Sequence, residues 1–325
     1  MLYPAIEPFS HGLLDVGEGH QVYWEQCGSP DGLPIVFLHG GPGGGCTATS
    51  RRFFDPRRYR VVLFDQRGCG RSTPHASTHH NLCVDLVRDM EHLRQTLGIQ
   101  SWLICGGSWG TTLALAYVLR HRQRVRGMVL RGIFGARSQE LDWLYKPGGA
   151  SQLFPDAWHA FSTALGPADA QQLLCAYDQE LNNPDEARAH AAALAWCAWE
   201  DAISSALTPR RTAPLAPTDC LAMARISAHM FLRDPWLGDG GAVWPTQTLA
   251  GLAGILLQGQ WDVVTPTSTA WQLHQLWPES SLRIVPEAGH TTSDPKLRQA
   301  LIKALDDMAD MTETSADETE LLTTT

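Results

Sequence analysis

The pentapeptide Gly106-Gly107-Ser108-Trp109-Gly110 constrains this chain more than any other feature. It has the form G-x-S-x-G. The strand-like run Trp102-Leu103-Ile104-Cys105 leads into it, and an apolar helical pattern over residues 109 to 120 follows. A turn from strand to helix this sharp forces the central residue into strained backbone. It also demands small residues two positions to either side, so that the two segments can pass closely. The serine hydroxyl then stands exposed at a helix N-terminus, on the positive side of the helix dipole. The pentapeptide alone is common by chance. The competing reading, an ordinary glycine turn, does not account for a strand before it and a helix after it.

The rest of the chain alternates in the same way. Pro34-Ile35-Val36-Phe37-Leu38, Val61-Val62-Leu63-Phe64, Gly127-Met128-Val129-Leu130, Ile255-Leu256-Leu257 and Leu282-Arg283-Ile284-Val285 read as buried strands. Between them, Leu82, Leu86, Val87, Met90, Leu93 and Leu97 fall at helical spacing. Strands alternating with helices predict an α/β fold with a mostly parallel sheet flanked by helices. From about Ile133 to about Thr246 the pattern changes: no buried strand is evident, and Ala- and Trp-rich helical segments such as residues 189 to 202 dominate. We expect a core in two parts, 1–132 and 247–310, a helical cap inserted at 133–246, and an acidic, flexible tail at 311–325. An insertion after the carboxyl end of a strand would overhang the edge of the sheet where ligands bind.

Composition narrows the function. The chain has 325 residues, 44% hydrophobic and 18% charged, with a formal net charge of −9. That is globular, and the negative balance argues against a nucleic-acid partner, which needs a basic surface. The eight cysteines form no CxxC pair, and the thirteen histidines form no HExxH. Free thiols are the expectation, with no metal site and no cofactor. The N-terminal stretch lacks a basic segment followed by an apolar run, and no run approaches the ~20 apolar residues of a membrane span. A cytoplasmic protein without a membrane partner is the expectation.

Serine is a weak nucleophile unless a base takes its proton. In a fold with this elbow, the acid and the histidine follow the serine in chain order. Asp262 lies just past the Ile255 strand, in Gln258-Gly259-Gln260-Trp261-Asp262. His290 lies just past the Leu282 strand, in Glu287-Ala288-Gly289-His290. His290 is the candidate base and Asp262 the candidate acid, with Asp294 and Glu287 as weaker rivals for the acid role. The run His39-Gly40-Gly41-Pro42-Gly43-Gly44-Gly45 follows the first apolar strand, and its glycines can turn backbone N–H groups toward an oxyanion. Trp109, directly after the nucleophile, and Gly41 are the candidate donors. A phosphate-binding loop is disfavoured because no Gly-Lys-Ser/Thr follows. Together these features predict the α/β-hydrolase fold.

With Asp65-Gln66-Arg67-Gly68-Cys69-Gly70-Arg71-Ser72, these motifs resemble the proline iminopeptidase (prolyl aminopeptidase) family from roughly residue 5 to residue 305. Arg131-Gly132-Ile133-Phe134 is similar to the start of that family's cap. The resemblance implies an enzyme that removes proline from the free N-terminus of a small peptide, with Ser108, Asp262 and His290 as its triad. A cationic terminal amine needs a carboxylate nearby, and the ring needs an apolar pocket. By resemblance, Glu200 in Trp196-Cys197-Ala198-Trp199-Glu200 is the amine anchor, and Phe134 and Tyr145 line the ring pocket. The chain departs from the family at Ser227, where a second acid is often found, and at Thr265, where some members carry Cys. One missing charge–amine contact is worth roughly 1.5–3 kcal/mol. The alternative reading is an esterase or amidase of the same fold with relaxed or altered N-terminal specificity.

Overall fold

The computed structural model describes residues 1–166, 172–208, 215–238 and 248–323. Within them, the apolar runs form the strands β3 (Leu33–Leu38), β4 (Tyr59–Phe64), β5 (Trp102–Gly107), β6 (Val125–Arg131), β7 (Ala253–Gly259) and β8 (Ser280–Val285). Every residue of β5 is buried, as expected of a strand covered on both faces. Two further strands, β1 (Ser10–Asp15) and β2 (Gln21–Gly28), were not expected from the sequence. β1 lies at the edge of the sheet and none of its residues is fully buried, so it has no continuous apolar run to betray it.

The eight strands form one sheet in the order β1-β2-β4-β3-β5-β6-β7-β8. The pairs β1/β2 and β2/β4 are antiparallel and the others are parallel. From β3 the chain first moves outward to β4 and then returns to the opposite side of β3 as β5. That reversal opens a crevice beyond the carboxyl ends of β3 and β5, where open α/β sheets bind their ligands.

Helices α1 (Cys83–Thr96), α2 (Trp109–His121) and α8 (Thr267–Leu276) cover one face through residues such as Leu86, Met90, Leu113, Tyr117 and Leu273. The other face packs on α9 (Pro295–Thr323), whose Leu301, Leu305 and Met308 meet Val61, Leu103, Val129 and Ile255. α9 runs on to Thr323, so most of the segment from residue 311 onward has a helical backbone, and the last two residues lie outside the described ones.

Between β6 and β7 the chain forms an inserted helical cap. Its helices are α3 (Ser138–Tyr145), α4 (Pro155–Thr163), α5 (Leu173–Leu181), α6 (Glu186–Ser204) and α7 (Pro217–Arg233). The expected end of the insertion, at residue 246, lies outside the described residues. The tryptophans that marked this stretch build its own core. Phe161 stacks on Tyr177 with ring centroids 4.4 Å apart and on Trp199 at 5.7 Å. The cap is tied to the core: the Asp234 carboxylate accepts the Cys83 N–H at 2.5 Å, and the Trp143 indole donates to the Val263 carbonyl at 2.7 Å.

Phe161 is 2% exposed and sits among five aromatic rings. Phe161→Ala is therefore expected to cost about 3–5 kcal/mol, from lost burial plus the cavity left behind. Chemical denaturation of the variant beside the parent chain measures it.

Candidate active site

β5 ends at Gly107 and α2 starts at Trp109, leaving Ser108 as the single residue of the turn, at φ 56° and ψ −124°. A side chain held at positive φ costs energy that the surrounding structure must over-determine. Here the Ser108 N–H donates to the Arg131 carbonyl (2.9 Å), and its carbonyl accepts from the Thr111 hydroxyl (2.7 Å). The crossing also depends on Gly110, where a Cβ would lie 2.2 Å from the Leu38 carbonyl oxygen at the end of β3. Backbone cannot yield there, so only glycine fits.

The loop after β8 carries His290 to the elbow. Its Nε2 lies 3.0 Å from Ser108 Oγ, and its Nδ1 lies 2.8 Å from Asp262 Oδ2. Asp262 comes from the loop after β7, as its sequence position requires. With an ionised carboxylate at Nδ1, that nitrogen carries the ring proton and Nε2 is left to accept from the serine hydroxyl. Gly132 makes room: a Cβ there would stand 3.1 Å from His290 Cε1.

Asp262 is held by more than the histidine. Its Oδ1 accepts the Thr265 N–H (2.9 Å), and its Oδ2 accepts the Thr265 hydroxyl (3.0 Å) and the Gln258 amide (3.1 Å). Burial opposes its charge, but His290 and the Thr265 bonds outweigh burial and hold the carboxyl below its ordinary range. The rivals lie elsewhere. Asp294 bonds the Lys296 N–H at the start of α9, and exposed Glu287 pairs with Lys296.

The glycine-rich loop after β3 lies along the other side of the elbow. A Cβ on Gly40 would be 3.4 Å from Ser108 Cβ and 4.0 Å from its Oγ. Gly41 follows at φ 124°. The loop is clasped from above by the cap, because the Ser227 hydroxyl on α7 donates to the Pro42 carbonyl at 3.2 Å. Ser227 is 3% exposed.

The cap carries Glu200 on α6, within reach of the charge of His290. Tyr145 donates to Glu200 Oε1 at 2.5 Å. Burial pushes the Glu200 carboxyl above its ordinary range, with the Tyr145 bond and the charge of His290 acting against that rise. Tyr145 stacks on Trp196 (4.8 Å between centroids) and meets Phe231 (5.8 Å), which meets Phe134 edge-on (6.0 Å). Phe134 is fixed to the elbow helix: its N–H donates to Thr111 Oγ1 (3.0 Å) and its carbonyl accepts from Thr112 (2.7 Å). The structure thus brings Glu200, Tyr145 and Phe134 into one aromatic-lined wall. Phe231 was not singled out in the sequence, although it lies four residues after Ser227 and so on the same helix face.

Chemically, the arrangement can pass a proton from a hydroxyl through an imidazole whose positive charge a carboxylate stabilises. It can also present one carboxylate, set in apolar surroundings, to a cation. Among the described residues, no group of three His, Cys, Asp or Glu side chains could hold a metal ion, and no helix is long and apolar enough to cross a membrane.

The family model for the alpha/beta hydrolase fold matches residues 34–296. The chain is 46% identical to a proline iminopeptidase of Xylella fastidiosa over 308 residues, covering 94% of this chain and 98% of that one. It is also 46% identical to a proline iminopeptidase of Arabidopsis thaliana, covering 94% of this chain and 82% of that one. Among solved structures, an esterase from Rhodococcus superposes with a TM-score of 0.59 at 19% identity, covering 93% of this chain and 99% of that one; this likeness concerns the fold. Such identity across nearly the whole length, on this fold, means that the chain belongs to the proline iminopeptidase family of α/β hydrolases.

Proposed function

We propose that this chain is a serine exopeptidase that releases proline from the free N-terminus of small peptides through an acyl-enzyme on Ser108. The observation that carries the reading is the line Ser108–His290–Asp262, at 3.0 and 2.8 Å, with a carboxylate, Glu200, set beside aromatic Tyr145 and near enough to His290 for its charge to act on it. The triad supplies acyl transfer. The carboxylate and the rings supply a reason for a cationic ring amine to bind there.

In this mechanism the secondary amine of the terminal proline is an ammonium and pairs with Glu200, while its ring lies against Phe134 and Tyr145. Ser108 Oγ attacks the proline carbonyl carbon as His290 Nε2 takes the hydroxyl proton. Asp262, held ionised by its hydrogen bonds, stabilises the imidazolium. The oxyanion is received by the N–H groups of Trp109 and Gly41. Collapse of the tetrahedral intermediate breaks the peptide bond, and His290 returns its proton to the leaving amine. A water molecule then repeats the sequence on the ester and frees proline.

Each assignment has a measurable consequence. Asp262→Asn would leave the imidazole with the wrong tautomer, so kcat is expected to fall by about 10⁴-fold with KM little changed. Glu200→Gln is expected to raise KM for a proline amide about ten- to a hundredfold, the worth of one charge–amine contact, and to leave a neutral ester almost untouched. Equal losses on both substrates would remove Glu200 from amine recognition.

The pH dependence follows from the raised Glu200 carboxyl. Above its folded pKa it is charged and attracts the amine; as pH falls through that value it becomes neutral and the attraction is lost. KM for a proline amide should therefore climb toward acid pH in the parent chain. In Glu200→Gln it should be high and flat. A KM that climbs identically in both would assign the titration to another group.

A further inference from the structure

One buried side chain touches both walls of the oxyanion site. Gln66, 2% exposed, follows Asp65 in the loop after β4. Its Oε1 accepts the indole N–H of Trp109 at 2.9 Å, and its Nε2 donates to the His39 carbonyl at 3.2 Å. Its backbone N–H also donates to His39 Nε2 at 3.0 Å. The orientation of the amide is fixed by chemistry: an indole N–H can only donate and a carbonyl can only accept, so the two ends of Gln66 cannot be exchanged.

The same logic fixes His39, which is 3% exposed. Its Nε2 accepts from Gln66, so Nδ1 carries the proton and donates it to the Gly40 carbonyl at 2.8 Å. The Gly45 N–H, 3.2 Å from Nδ1, therefore meets a donor and is not hydrogen-bonded to it. Burial keeps the ring neutral by lowering its affinity for a second proton. A neutral histidine thus holds the first turn of the glycine-rich loop, and Gln66 holds both that histidine and Trp109.

We propose that Gln66 is a positioning residue for the oxyanion site. Its amide braces Trp109 against the start of the glycine-rich loop and so fixes the angle between the two backbone N–H groups that receive the developing charge. This rests on the assignment of Trp109 and Gly41 as those donors. The contact of Gly110 with the Leu38 carbonyl already limits how near the elbow and β3 can come. This close approach, like that of Gly40 to Ser108, limits distance without setting direction, whereas the hydrogen bonds through Gln66 are directional.

The test is kinetic. Gln66→Met keeps the side-chain length and removes both hydrogen bonds. Removing one oxyanion donor outright costs about 10²–10³-fold in kcat, so a displaced pair should cost roughly 10–100-fold. We expect that loss in kcat, with KM within about twofold of the parent chain. A boronic acid analogue of proline, which mimics the tetrahedral intermediate, should lose affinity in proportion to kcat. Pyrrolidine, which offers the ring and amine but no oxygen, should bind as before. Trp109→Phe cuts the brace from its other end while keeping the backbone N–H. The double variant should then lose no more than the worse single variant, and Trp109→Phe alone decides the matter if Gln66→Met does not fold. p-Nitrophenyl acetate needs Ser108 and the oxyanion donors but no free amine. Running it in parallel separates failure of the brace from failure of the proline assignment. An unchanged kcat in folded Gln66→Met, multiplicative losses in the double variant, or an equal loss of pyrrolidine binding would overturn the proposal.

Discussion

The site depends on how closely two backbones can approach. Where β5 turns into α2, a Cβ on Gly110 would fall 2.2 Å from the Leu38 carbonyl and one on Gly106 would fall 2.5 Å from the Gly110 carbonyl. Only a chain without side chains at both positions can make that crossing, and making it forces Ser108 to positive φ. Everything else is arranged around this fixed point. β3 brings the glycine-rich loop to one side, β7 and β8 bring Asp262 and His290 to the other, and the cap closes over the top. The strain at one residue is held by the packing of a whole sheet, which is how such strain persists at a reactive centre.

Two carboxylates near this centre have opposite environments and suit opposite tasks. Asp262 is buried but receives four hydrogen bonds, one of them from His290, and stays ionised. Glu200 is set among aromatic rings with one tyrosine donor and is pushed toward its neutral form. A carboxylate with few partners of its own is the one with most to gain from an arriving cation. Ser227, where the family resemblance led to the expectation of a second acid, is engaged with the Pro42 carbonyl. The position ties the cap to the glycine-rich loop and leaves Glu200 as the carboxylate next to Tyr145.

Much of this was legible in the sequence because it rests on short-range rules. The elbow announces itself through paired glycines between a strand and a helix, and the parallel strands through continuous apolar runs. Asp262 and His290 lie past the ends of β7 and β8, as their sequence positions indicated, and within hydrogen-bond reach of each other and of Ser108. What was not legible depends on partners far apart in sequence. β1 and β2 lie on the antiparallel side of the sheet, and β1 carries no buried run. Phe231 joins the aromatic wall only because α7, packed on α5 and α6, brings its ring against Tyr145. Gln66 looked like part of a loop motif, and its brace appears only when β4 and α2 are brought together.

The most direct measurement of the central claim is the hydrolysis of proline p-nitroanilide beside its N-acetylated counterpart, with Ser108→Ala as the blank. The account predicts release of nitroaniline from the free-amine compound, at least a hundredfold less from the acetylated one, and none above blank in Ser108→Ala. Equal turnover of the two compounds would contradict it, because a site that ignores the amine is not using Glu200 to choose its substrate.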